Sequence, residues 1–125
     1  MKIFYAIFTL FIPLLMIFCG ILMKKYHSDE PNSAMGYRTK RSMKNNDTWK
    51  FANEFAGRLW IKAGIILAVI SALVDISYFY VKENYGVYIM LSAVILQSVI
   101  MVLTICPVEK ALKSNFDDNG KEKSQ

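Results

Sequence analysis

Long apolar stretches of the chain are separated by one polar, basic insertion and one short break. Residues 3–23, 61–80 and 86–106 carry almost no charge, and each run is about 20 residues, the length a helix needs to cross about 30 Å of hydrocarbon. The pattern predicts an all-α integral membrane protein with three transmembrane helices, at 1–23, 61–80 and 86–106. Residues 24–48 read as a basic loop, 49–60 as an amphipathic helix leading into the second span, and 81–85 as a hairpin. The remainder, 107–125, ends in "NFDDNGKEKSQ" and has the polar, mixed-charge composition of a disordered tail. The first run also resembles a secretory signal core. It is longer than the 7–15 residues of such a core, no small-x-small site follows it, and Phe18 is bulky before Cys19, so it reads as a span.

Within the insertion, "HSDEPNSAMGYRT" favours turns, and Asn45, Asn46 and Asp47 supply capping chemistry for a helix start. Projected at about 100° per residue, Trp49, Phe51, Ala52, Phe55, Ala56, Leu59 and Trp60 fall on one half of that helix. Lys50, Asn53, Glu54, Gly57 and Arg58 fall on the other, predicting a surface helix anchored by its two indoles. Extended into the second span, the projection groups Asn53, Gly57, Gly64, Ala68, Ser71 and Asp75 within about 60°. This stripe of small and polar residues is the kind that lets helices approach closely in lipid, so it should face the other spans or a partner helix.

Charge sets the orientation. Lys24, Lys25, Arg38, Lys40, Arg41, Lys44, Lys50 and Arg58 lie between the first two spans, Lys82 alone in the hairpin, and Lys110, Lys113, Lys121 and Lys123 in the tail. Basic residues are retained inside, so loop and C-terminus should be cytoplasmic and the N-terminus and hairpin outside, in the plasma membrane. An anionic inner leaflet accounts for the formal charge of +5 without direct nucleic-acid binding.

The chemistry-bearing residues are few. His27 is the one histidine and Cys19 and Cys106 the two cysteines, so no zinc set, structural disulfide or cofactor is expected. With no Gly-rich phosphate loop and no nucleophile elbow, no enzyme is expected either. Pro13 removes one backbone donor inside the first span. Asp75 is the acid within a span, read either as a polar anchor or proton site with Gln97 or Ser71 as partner, or as a shallow acid reached by water near Lys82. Arg38 reads either as part of a generic retention charge or as a fork for a carboxylate, a helix end or a phospholipid phosphate.

The ordered set Pro31-Asn32, Gly36-Tyr37-Arg38-Thr39, Ser42-Met43-Lys44, Trp49, Ala52-Asn53 and Gly57 resembles the bacterial SdpI/YfhL family. Lys40 stands where many relatives carry proline. The resemblance implies a membrane immunity protein acting against a toxic membrane-active peptide on the outer side, with a cytoplasmic repressor as a further partner. It marks Asn32, Gly36, Tyr37, Arg38, Thr39, Ser42, Trp49 and Asn53 as the candidate partner- or lipid-binding set, while the helical projection marks Gly57, Gly64, Ala68, Ser71 and Asp75 for helix packing. The alternative is a small homo-oligomeric transporter or lipid-binding protein with a site lined by Arg38, Trp49, Asn53 and Asp75.

Overall fold

The computed structural model describes residues 1–123 and, among them, is helical throughout apart from loops and one isolated bridge between Phe116 and Glu122. Its helices are α1 (Lys2–Lys25), α2 (Asn46–Tyr78), α3 (Gly86–Leu103) and α4 (Ile105–Asn115), with a single 3-10 turn, Glu83–Tyr85, ahead of α3. Three helices are long and apolar enough to cross a membrane: α1, α2, and α3 with its continuation into α4. Below, the "loop end" of the bundle is the end carrying residues 26–45, and the "hairpin end" carries 79–85.

The start of α2 follows from its cap. The Asn45 side chain accepts from the Thr48 amide at 2.8 Å while the Thr48 hydroxyl accepts from the Asn45 amide at 3.1 Å, a reciprocal capping box. From there α2 runs unbroken for 33 residues through Gly57 and Gly64. At its far end the Lys2 ammonium donates to the carbonyls of Phe79 at 2.9 Å and Val81 at 3.1 Å, supplying cation and donors where helix carbonyls run out.

The α1–α2 pair is the spine. Tyr5, Thr9, Pro13, Met16, Gly20 and Met23 are the buried face of α1, and Asn53, Gly57, Gly64, Ser71 and Asp75 lie on the buried face of α2, with Ala68 half-buried beside them. The backbones approach so closely that a Cβ on Gly57 would lie 2.6 Å from the Gly20 carbonyl oxygen, and one on Gly64 would lie 2.8 Å from that of Pro13. The opposite faces carry exposed apolar side chains such as Ile7, Phe11, Val69 and Leu73, as lipid contact requires. α3 leans mainly on α1 and touches α2 sparsely.

The loop end differs from the sequence reading in three respects. First, the expected third span, 86–106, stops at Leu103, and the expected disordered tail, 107–125, contains α4 and a bridged turn as far as residue 123; residues 124–125 lie outside the described residues. Pro107 explains the break, since a proline cannot donate to the carbonyl four residues earlier, here Leu103, and its ring crowds that carbonyl. Second, α4 is amphipathic and buries Val108 and Leu112 against Met23, Ala52 and Ala56, with Phe51, Phe55 and Phe116 around them. The aromatic side of 49–60 therefore packs on protein. Phe51 meets Phe116 edge-on with ring centroids 5.4 Å apart. Third, the half of 49–60 that carries Lys50, Glu54 and Arg58 is not wet throughout: Asn53 and Gly57 on it are buried, as the packing stripe requires, because α1 and the loop cover that side.

The Trp49 indole is not a surface anchor, whereas Trp60 is half-buried. Trp49 is fully buried and donates to the Ser28 carbonyl at 3.0 Å; Trp60 donates to the Thr104 hydroxyl at 2.9 Å.

Gly57→Leu should force α1 and α2 apart and lower stability by about 1–3 kcal/mol, the usual cost of overpacking. Thermal unfolding in detergent should show a clear drop, against no comparable change for the lipid-facing Ile65→Leu.

Candidate functional site

Two clusters carry the polar chemistry, one at each end of the bundle. At the loop end the motif residues build a knot. Gly36 has φ +115°, a region that L side chains avoid, and a Cβ there would lie 2.6 Å from Asn53 Oδ1 and 2.9 Å from the Trp49 ring. The chain must pass this close because the next amide, that of Tyr37, donates to Asn53 Oδ1 at 2.9 Å, while Asn53 Nδ2 donates to the Trp49 carbonyl at 2.9 Å. Ser42 Oγ accepts from the Thr39 amide at 2.8 Å and lies 2.9 Å from the Tyr37 carbonyl, to which it donates; Thr48 Oγ1 donates to the Ser42 carbonyl at 3.0 Å. Asn32 folds the preceding turn, accepting from the amides of Ala34 and Met35 at 2.9 and 2.8 Å.

The knot is tied to α4 by Tyr37, whose hydroxyl donates to Glu109 Oε1 at 2.7 Å, with Arg41 3.7 Å from the same carboxylate. Burial pushes the Tyr37 hydroxyl above the usual tyrosine range, and its bond to Glu109 and that group's negative charge add to the rise. Gly36, Tyr37, Ser42, Trp49 and Asn53 are thus brought together as architecture. Arg38 is exposed and donates one N–H to the Ser33 carbonyl, and half-buried Thr39 sits next to it. Sequence reasoning missed the partners Ser28 and Glu109, which have no fixed spacing from the motif.

The second cluster lies toward the hairpin end and begins at Pro13. Lacking an N–H, Pro13 leaves the Thr9 carbonyl without its helical donor. Gln97 of α3 supplies one: its Nε2 lies 2.9 Å from the Thr9 carbonyl and 2.8 Å from Ser71 Oγ of α2. Thr9 Oγ1 in turn donates to Asp75 Oδ2 at 2.7 Å. Thr9, Ser71, Asp75 and Gln97 are all buried, so one network stitches three spans in a medium that offers few other partners. Asp75 is therefore neither paired with Lys82 nor bonded to Gln97 directly; its partner is Thr9, a residue the sequence reading did not single out. Beside this network a cavity of about 430 Å³ separates α2 from α3, floored by Thr9, Ser71 and Gln97 and rimmed by Tyr85 and Tyr88.

Asn53 and Asp75 are separated by 22 residues of one unbroken helix, about 33 Å at 1.5 Å per residue. A single site lined by Arg38, Trp49, Asn53 and Asp75 is therefore not formed within one chain. Among the described residues no group of three or more His, Cys, Asp or Glu side chains could hold a metal ion.

Gln97→Leu should cost about 1–3 kcal/mol by stranding the Thr9 carbonyl in an apolar setting, and adding Pro13→Ala should recover part of that loss by restoring a helical donor. A double-mutant cycle of thermal stabilities measures the coupling; strict additivity would contradict the assignment. Tyr37→Phe should destabilise by about 1 kcal/mol at pH 8. Because the folded state raises the Tyr37 pKa above its ordinary value near 10, that contribution is complete below about pH 10 and lost as pH rises further. The stability gap between wild type and Tyr37→Phe should accordingly narrow on alkalinisation.

Comparison with known proteins agrees with the motif. Residues 29–108 match the model of the SdpI/YfhL protein family, a stretch that holds the knot, all of α2 and the whole of α3. The chain is also 32% identical over 110 residues to the uncharacterized protein YfhL of Bacillus subtilis (strain 168), covering 88% of this chain and 90% of that protein. No solved structure matches significantly. A family match across most of the chain, together with a relative of nearly equal extent, establishes that this three-span protein belongs to the SdpI/YfhL family.

Proposed function

We propose that the chain is a non-enzymatic membrane immunity protein that protects a bacterial cell from a toxic membrane-active peptide, with its hairpin end outside and its loop end in the cytoplasm. Family membership supports an immunity-type role through the resemblance described above, and the excess of Lys and Arg at the loop end supports the orientation. The observation that carries the reading is the cavity between α2 and α3 at the hairpin half. Its walls are apolar, including Leu67, Ile70 and Ile89, its floor is polar, and two tyrosines stand at its rim. An apolar segment entering the outer half of the bilayer would find there a lateral groove with hydrogen-bonding groups at its base. The loop end, with Lys40, Lys44 and Lys50 exposed, is the surface a cytoplasmic partner such as a repressor would meet.

The experiment is expression of the chain in a peptide-sensitive bacterial host challenged with a panel of membrane-active peptides. Protection against at least one peptide is expected, and Ser92→Phe, which fills the groove from an exposed position, should abolish it while the protein remains folded in the membrane. Sensitivity equal to that of the empty host across the panel would contradict the reading.

A further inference from the structure

Arg38 is a motif residue whose charged head the knot does not consume. Its guanidinium carries five donors; one N–H meets the Ser33 carbonyl, and among the described residues no carboxylate lies within ion-pair distance of it. Two of the acids near this loop are engaged elsewhere, Glu109 with Tyr37 and Arg41, and Asp118 with Arg41 at 3.7 Å. Below Arg38 a crevice of about 280 Å³ opens where the motif loop, the end of α1, α2 and the α3–α4 junction meet. Its walls include Met23, Trp60, Met101 and Val102, with Thr39 beside Arg38. The Trp60 wall is fixed by its bond to Thr104, and Val102 is exposed at the lipid side. The crevice sits where the apolar run of α3 gives way to the charged helix α4, a change of composition that suits the headgroup region.

We propose that this crevice seats one anionic phospholipid, its phosphate forked on Arg38 and the upper part of an acyl chain laid against Met23, Trp60, Met101 and Val102. The guanidinium fork matches two phosphate oxygens. An unpaired cation above an apolar slot is complementary to an amphiphile with an anionic head, whereas a soluble phosphate would use the head contact and leave the slot unused. The assignment does not depend on the immunity reading.

The test is native mass spectrometry of the full chain in neutral detergent, titrated with phosphatidylglycerol or with phosphatidylcholine of the same acyl chains. Wild type should hold one phosphatidylglycerol in preference to phosphatidylcholine. Arg38→Ala should weaken phosphatidylglycerol binding about tenfold with an unchanged melting temperature, since Arg38 makes a single exposed bond within the protein. Val102→Trp, which fills the slot from its lipid-facing rim, should weaken it as well, and Lys50→Ala, away from the crevice, should leave the lipid preference intact. Equal binding of the two lipids, or unchanged binding by Arg38→Ala, would overturn the proposal. So would competition by glycerol 3-phosphate as effective as that of phosphatidylglycerol and insensitive to Val102→Trp, which would mark a site for free phosphate.

Discussion

Helices in lipid gain little from hiding apolar surface from one another, so they must gain from closeness. In this chain that closeness is the α1–α2 contact, where Gly20 faces Gly57 and Gly64 faces Pro13 with no room for a Cβ on either α2 glycine. Everything else is hung on that pair. The approach brings Thr9 within bonding distance of Asp75, and the carbonyl released by Pro13 then becomes the point where α3 attaches through Gln97. An unsatisfied carbonyl is costly in hydrocarbon, which makes it a directional anchor; α3 needs few contacts with α2 as a result, and the groove between them stays open.

The same spine carries the loop end. Because α2 runs as one 33-residue rod, its first turns present Trp49, Ala52, Asn53 and Ala56 as a scaffold, onto which the 26–45 loop and α4 fold from two sides. The motif is thus explained by a sequence of local needs. Gly36 must pass beside Asn53, Asn53 must hold the Tyr37 amide, Ser42 must fold the turn, and Tyr37 must reach Glu109. Arg38 answers none of these needs; its one bond is to the Ser33 carbonyl.

Much of this was legible in the residue pattern. The three spans, the helix start at Asn45 to Asp47 and the single continuous rod follow from hydropathy and capping, because lipid imposes strong one-dimensional rules. The stripe from Asn53 to Asp75 followed from helical period alone, and five of its six members lie buried in the structure. What failed was the choice between water, lipid and protein as the neighbour of residues 49–60. A projection sorts side chains into halves, and it cannot know that α4 will return to cover Phe51 and Phe55. The break at Leu103 was readable from Pro107, yet the run of apolar residues to Cys106 masked it. Thr9 was invisible for a related reason: its importance comes from a proline four residues away and from a glutamine on a different span.

The central claim is the register of α1 against α2, and cross-linking reads it directly. In a background with Cys19→Ala and Cys106→Ser, paired cysteines at Thr9 and Asp75, whose side chains bond at 2.7 Å, should form a disulfide in native membranes under mild oxidation. Paired cysteines at Thr9 and the lipid-facing Leu73 should not. Cross-linking of the Leu73 pair in place of the Asp75 pair would show α2 turned with its slender face to lipid, and the account would fail.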